Sequence, residues 1–245
     1  MRLTVIGCAG SFPGPRSPAS CYLVEHDGTR IVLDMGNGSL GALQAHTDIY
    51  GLDGVVLSHL HVDHFIDLAS YYVALKYRPD GPARRVPVWG PVGTAQRLAA
   101  AYGQVGSDMS GQLDVRTVTD TFQIGSLRIT TQVVCHPVEA RAIRVSAGGR
   151  VLTYSGDTGP HPGLAEFAQG SDVALFEASF LTDAANPADL HLTAAEAAAA
   201  SASAGADRVV LTHLVPWNSP EATLAEARGV RADAVLAAPG MVVDI

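Results

Sequence analysis

Four side chains able to bind a metal fall within six positions in Leu57-Ser58-His59-Leu60-His61-Val62-Asp63-His64, directly behind the apolar run Gly54 to Leu57. With the segment Ile66 to Tyr77 of helical period behind it, the cluster sits at a strand-to-helix junction. A tight turn there lets neighbouring residues address two different centres. His59 and His61, two apart in an extended segment, point the same way and suit one ion, whereas Asp63 and His64 fall on the following turn and face a second. Two ions, each keeping a position open for water, need more ligands than these four, so the fold has to bring others to the same strand end.

Three later places in the chain offer them. Cys135-His136 closes an apolar run, Ser155-Gly156-Asp157-Thr158 closes the strand Val151 to Tyr154, and Thr212-His213-Leu214 closes the strand Val209 to Leu211. Asp157 reads as a carboxylate shared by both ions, with a helix N-cap ahead of Pro160 as the alternative. Cys135 reads as a core residue, since it alternates to the opposite strand face from His136. His26, His46 and His161 stand outside the pattern and read as ordinary polar residues.

Around these positions, apolar runs of strand length alternate with Ala-rich segments of helical period, which is the α/β pattern. Strands are expected over residues 2 to 6, 21 to 25 and 30 to 34, at Gly54 to Leu57, at Val86 to Trp89, and several times between Leu113 and Tyr154. Helices are expected from Gly38 to His46, Ile66 to Tyr77 and Thr94 to Tyr102, and again after Thr193, where Glu196 three positions on completes a capping box. The Gly10 to Ser20 loop is long enough to reach over a site. With 245 residues, no repeat and no Pro- or Ser-rich linker, one domain spanning 1 to 245 is the expectation, built as a β-sandwich flanked by helices with the site at one edge of both sheets.

Sixteen basic against twenty-four acidic residues give a formal net charge of −8, the wrong sign for a chain that binds by neutralising many phosphates. Extended nucleic acid is disfavoured as a partner. A small anionic substrate is not, because bound dications make one pocket locally positive. No stretch of about 18 apolar residues crosses a membrane, and the N-terminus opens as a strand rather than a cleavable leader, so a cytoplasmic protein is expected. Three cysteines without CxxC spacing fit reduced thiols.

The run HLHVDH, a later lone His, a Gly-Asp-Thr turn and a final Thr-His resemble the metallo-β-lactamase superfamily across essentially the whole chain. That resemblance implies a four-layer αββα sandwich of the α/β class. It also implies His59, His61 and His136 on one metal, Asp63, His64 and His213 on the other, Asp157 bridging, and Asp34 as a supporting aspartate behind the ligands. Phe176-Glu177-Ala178-Ser179-Phe180 and His191-Leu192-Thr193 resemble the ribonuclease Z branch of phosphodiesterases, where the matching histidine protonates the leaving oxygen and the matching glutamate orients it. His191 and Glu177 are thereby the expected acid and its partner, and Arg144 also matches that branch.

The intervals from His136 to Asp157 and from Asp157 to His191 leave no room for the protruding tRNA-binding arm of ribonuclease Z. The ending Thr212-His213-Leu214-Val215-Pro216-Trp217 lacks the arginine-tyrosine pair often seen there. The Gly10 to Ser20 loop, Leu40-Gly41-Ala42-Leu43-Gln44, Asp189-Leu190-His191-Leu192 and the Thr-His-Leu-Val-Pro-Trp ending look like the actinobacterial cyclic-nucleotide phosphodiesterases called atypical class II. This likeness implies hydrolysis of 3′,5′-cyclic AMP and other cyclic nucleotides to the 5′-monophosphate. In the two-metal mechanism expected here, Asp63 is also a candidate to accept the proton of water. Ser17, Ser20 and Thr158 are candidate phosphate contacts by their loop placement, Arg144 is a candidate substrate contact from the ribonuclease Z likeness, and Trp217 is a candidate for the base, with ordinary packing as its alternative.

The metals are expected to be two divalent ions, zinc first, with manganese, iron or cobalt also compatible with imidazole and carboxylate ligands. A homodimer is an option, since dimers are common in this branch, although no residue pattern marks an interface. The competing readings are a ribonuclease Z-like tRNA 3′-processing endonuclease or another small-phosphodiester hydrolase and, from a different class, a catalytically silent metal-binding scaffold or sensor.

Overall fold

The computed structural model describes residues 1–81, 83–103, 109–182 and 184–245. Apolar strands with few charges pair into two sheets. The first carries β1 (Arg2–Gly7), β2 (Cys21–His26), β3 (Thr29–Leu33), β4 (Gly54–Val56), β5 (Val86–Gly90) and β6 (Leu113–Thr117). The second carries β7 (Thr121–Ile124), β8 (Leu127–Val133), β9 (Arg141–Ala147), β10 (Arg150–Tyr154), β11 (Val173–Glu177), β12 (Arg208–Thr212) and β13 (Val235–Leu236). A last strand, β14 (Val242–Asp244), returns to the first sheet, giving the orders β14-β1-β2-β3-β4-β5-β6 and β13-β12-β11-β10-β9-β8-β7.

Each sheet is antiparallel over one half and parallel over the other. The change falls at β3, between β2 and β4, in the first sheet and at β10, between β9 and β11, in the second. Parallel neighbours need crossovers that cover the outer faces. In the first sheet these include α1 (Ser39–Leu43), α3 (Asp67–Lys76) and α4 (Thr94–Ala101); in the second they are α5 (Gly163–Phe167), α6 (Ala194–Ser203) and α7 (Pro220–Val230). Alternating side chains then divide the apolar residues into three layers. Leu3, Val5, Leu33, Ile143, Val145 and Leu175 fill the space between the sheets. Leu40, Leu68, Tyr71 and Leu98 pack the first sheet's helices onto its outer face, and an alanine-rich layer including Ala194, Ala197, Ala198 and Ala227 does so for the second. Two mixed seven-stranded sheets between helices are thus the α/β sandwich expected from the sequence.

Helix α1 is shorter than the expected span of Gly38 to His46, with the Gln44 side chain donating back to the Leu40 carbonyl at 3.1 Å. Helix α6 begins at the expected capping box, the Thr193 hydroxyl accepting from the Glu196 amide and the Glu196 carboxylate accepting from the Thr193 amide. No helix is long and apolar enough to cross a membrane among the described residues.

Candidate metal centre

Strands β3, β4, β8, β10, β11 and β12 all end at one edge of the sandwich, and the polar residues that follow them meet there. Two close approaches of backbone fix the edge. At Gly36 a Cβ would stand 1.9 Å from the Asp63 carbonyl oxygen, so only glycine lets the turn after β3 lie against the short helix α2 (Val62–Phe65), where the Met35 amide donates to the His64 carbonyl at 2.7 Å. Gly156, at φ +59°, makes the turn that delivers Asp157. Asp34 and His213 also hold positive φ, at 57° and 53°. Such backbone is uncommon outside glycine and persists only where surrounding contacts over-determine it.

Asp34 supplies many of those contacts. It is fully buried, and its carboxylate accepts from the Ser58 amide (2.7 Å), the Ser58 hydroxyl (2.7 Å) and the Tyr154 hydroxyl (2.8 Å), while lying 2.8 Å from His64 Nδ1. With Nδ1 turned to Asp34, Nε2 is the His64 nitrogen that faces the centre. His136 is held in the same way, its Nδ1 3.0 Å from the Leu190 carbonyl. His213 Nδ1 meets the Ser179 hydroxyl at 2.7 Å, and the Ser179 hydroxyl also lies 2.9 Å from Glu177 Oε2.

Two groups of ligand atoms face each other, and a third set, Glu177, His191 and His213, shares His213 with the second. His59, His61 and His136 converge, with His59 Nε2 and His136 Nε2 lying 3.0 and 3.1 Å from His61 Nδ1. Asp63, His64, Asp157 and His213 form the second group, with Asp157 Oδ2 3.3 Å from both His64 Nε2 and His213 Nε2, and Asp63 Oδ2 3.1 Å from His213 Nε2. Asp157 Oδ2 also reaches to 3.7 Å from His59 Nε2 and so stands between the groups.

Imidazole nitrogens pointed at one another at hydrogen-bond distance are expected where ligands about 2.0–2.1 Å from a common ion surround it. His64 Nε2 and Asp157 Oδ1 are moreover buried without a hydrogen-bond partner, an orphaning that a cation relieves. The donor set therefore fits divalent metal.

Electrostatics differ across the centre. Burial pushes His59, His61 and His136 below the ordinary imidazole range, His136 to about 4, with neighbouring imidazoles adding to the effect. Neutral imidazole is the form that binds metal. For His64 the burial cost is outweighed by the Asp157 and Asp34 charges, and the group is pushed well up. Burial likewise opposes ionisation of Asp63 and Asp157, yet His213 and His64 hold both carboxyls below their usual range.

Beside the second group, His191 Nδ1 lies 2.8 Å from Glu177 Oε1, which also accepts from the Thr158 amide at 2.8 Å. Burial pushes His191 down, but the Glu177 charge and hydrogen bond outweigh it and the imidazole is raised overall. His191 lines a cleft of about 420 Å³ together with Ser11, Phe180, Leu190 and Trp217, a size typical of small-ligand sites.

The seven metal-ligand candidates, Asp34, His191 and Glu177 are thus brought together. Trp217 lies at the cleft. The remaining substrate candidates are placed differently. Arg144 follows Ile143 and precedes Val145, both in the inter-sheet core, so alternation turns it to the outer face, where it donates to the Phe167 carbonyl (3.1 Å) and the Ser171 hydroxyl (3.3 Å) beside α5. It is not at the centre. Ser20 is fully buried, its hydroxyl 3.5 Å from that of Tyr22. The Ser17 hydroxyl donates to the Pro18 carbonyl and accepts from the Cys8 amide. Thr158 is buried with its hydroxyl on the Gly159 carbonyl, so its contact with the site is its amide on Glu177.

Cys135 is half-buried beside the Asp189 carbonyl rather than in the core. Among the described residues, His26, His46 and His161 belong to none of the ligand groups. Reading the sequence missed Ser179, Tyr154 and Ser58. Ser179 was within reach of it: two residues beyond Glu177, it shares that residue's face in an extended segment.

The family model described as a beta-lactamase superfamily domain matches residues 29–214. The uncharacterized protein Rv1339 of Mycobacterium tuberculosis is 43% identical over 235 residues, 93% of this chain and 86% of that protein. A ribonuclease Z of Mycolicibacterium paratuberculosis is 29% identical over 247 residues, with 88% and 86% covered. The crystal structure of the metallo-beta-lactamase fold protein YhfI from Bacillus subtilis superposes with a TM-score of 0.89 at 26% identity, covering 99% of each chain. With the sandwich, the strand-end histidines and aspartates, and a family match over most of its length, the chain belongs to the beta-lactamase superfamily as one of its metal-dependent hydrolases.

Proposed function

We propose that this chain is a two-metal phosphodiesterase that hydrolyses 3′,5′-cyclic nucleotides, cyclic AMP foremost, to 5′-monophosphates. The observation that carries the reading is Asp157 standing between two converged ligand groups, with the His191–Glu177 pair alongside. In this assignment His59, His61 and His136 hold one ion, Asp63, His64 and His213 hold the other, and Asp157 is shared. Zinc suits the imidazole-rich donor set. Bound there, the dications lower the pKa of water and neutralise phosphate charge.

The chain's own groups supply the rest. The Nδ1 of His191 is engaged by Glu177, which leaves Nε2 for the cleft. From there it gives its proton to the 3′ oxygen as the P–O3′ bond breaks and water oxygen bonds to phosphorus. Asp63 takes the proton that the water releases. Glu177 keeps the imidazole oriented and favours its charged form, and the Thr158 amide and Ser179 hydroxyl fix Glu177 in turn.

A small cyclic substrate is favoured over tRNA by the net charge of −8. It is favoured also by the intervals between ligands, which β9, β10, α5 and β11 occupy, with no protruding arm among the described residues. The relation to ribonuclease Z supports phosphodiester chemistry in general. The test is a substrate panel run with and without chelator: 3′,5′-cyclic nucleotides, 2′,3′-cyclic phosphates and a tRNA precursor. Chelator-sensitive turnover of 3′,5′-cyclic nucleotides at least tenfold above the others is expected. Processing of the tRNA precursor without cyclic-nucleotide turnover would replace this reading with the endonuclease.

A further inference from the structure

Two large aromatic side chains stand in solvent at the mouth of the site. Phe12, on the loop after β1, is 47% exposed and Trp217, on the loop after β12, is 62% exposed. Their ring centroids are 6.0 Å apart at an interplanar angle of 40°, so they touch as an open wedge and do not bury one another's faces. Exposed aromatics paired in this way keep apolar area in water, a cost that makes sense where a ligand covers it.

Both loops are anchored on the metal centre. The Gly10 amide donates to the Leu214 carbonyl at 3.0 Å, the Leu214 amide to the Cys8 carbonyl at 2.8 Å, and the Ser11 amide approaches His213 Nε2 at 3.4 Å. The cleft that Trp217 lines runs to His191, and its other walls include Phe180, Leu181, Pro187 and Val215. Of the two asparagines in the cleft, Asn186 donates its amide to the Leu181 carbonyl and Asn218 to the Ser179 carbonyl.

We infer that Trp217, backed by Phe12, is the platform on which the nucleobase of the substrate stacks. Recognition by this platform is by ring face rather than by base-edge hydrogen bonds, so both purines are accepted. Stacking is tolerant because every base has a π-face, and Phe180, Leu181, Pro187 and Val215 give the cleft apolar walls beside it. Phe12 is a positioning residue: it holds the indole and does not itself carry the base. The inference rests on the cyclic-nucleotide reading for what it binds, but its test does not need turnover.

Trp89 and Trp217 are the two tryptophans, and Trp89 is buried, so the exposed component of the fluorescence reports Trp217. The metal-loaded protein is titrated with 5′-AMP, 5′-GMP and ribose 5-phosphate, with calorimetry in parallel. Quenching by both nucleotides but not by ribose 5-phosphate is expected, along with its loss in Trp217→Ala. The same substitution should weaken 5′-AMP binding roughly tenfold or more, Trp217→Phe should retain most of it, and Phe12→Ala should weaken it by about two- to tenfold. Equal quenching by ribose 5-phosphate, unchanged 5′-AMP affinity in Trp217→Ala, or preference for one purine above about a hundredfold would each overturn the inference. Failure of cyclic-nucleotide turnover alongside intact base-dependent quenching would instead count against the proposed reaction alone.

Discussion

The histidine triad His59, His61, His136 and the group Asp63, His64, Asp157, His213 lie side by side, yet they rest on different electrostatics. In the triad the dominant influence is burial, which drives the imidazoles toward the neutral form. His61 and His136 are also partly open to solvent, and no carboxylate sits within the triad itself. The second group is buried throughout and contains two carboxylates, and Asp34 and Glu177 stand behind it through His64 and Ser179. The difference teaches that one edge of a sandwich provides two kinds of ligand environment: an accessible one of imidazoles and an enclosed one with carboxylates. The His191–Glu177 pair belongs to the enclosed side, within reach of Asp157 at 4.0 Å.

Asp157 is the residue on which that comparison breaks most completely, because it faces both groups. Asp157→Ala is expected to reduce hydrolysis to background and to bring metal content below one ion per chain by elemental analysis. Two retained ions with the parental rate would mean that the groups do not share it. Next in size, His191→Ala should lower kcat by about 10²- to 10⁴-fold while the metal content stays at the parental value, since His191 is assigned to the proton and not to the ions. Parental kcat with full metal occupancy would remove His191 from the mechanism. The smallest effect sharpens the contrast: Asp34→Asn should weaken metal binding by roughly 10–100-fold in the enclosed group, where Asp34 meets His64 directly, and by less in the triad, which it reaches only through Ser58 on His59 Nδ1. A chelator titration should then show one strongly weakened step and one weakened less; two equally weakened steps would show that the two environments are not independent.

Much of the fold was legible because strand and helix periods are local. The runs at residues 2 to 6, 21 to 25 and 30 to 34 became β1, β2 and β3 within a residue at each end, and the capping box at Thr193 formed as its residue types require. The ligand candidates were legible for a related reason: polar residues that end apolar strands gather wherever parallel neighbours end together. Arg144 shows the limit. Its alternation with Ile143 and Val145 was readable, but which face of β9 looked toward the site depended on where the second sheet placed its helices.

Local sequence determined which side chains have the chemistry: imidazoles and carboxylates at strand ends, close enough in type and spacing to demand metal. Tertiary structure decided how they are used. The strand order brings Asp34, Ser179 and the Leu190 carbonyl behind particular imidazole nitrogens, and so selects which nitrogen faces the centre. It also sets Phe12 against Trp217 from opposite ends of the chain. Those choices depend on contacts between residues far apart in sequence and on positive-φ turns held by their surroundings, and neither is written in the neighbourhood of any one residue.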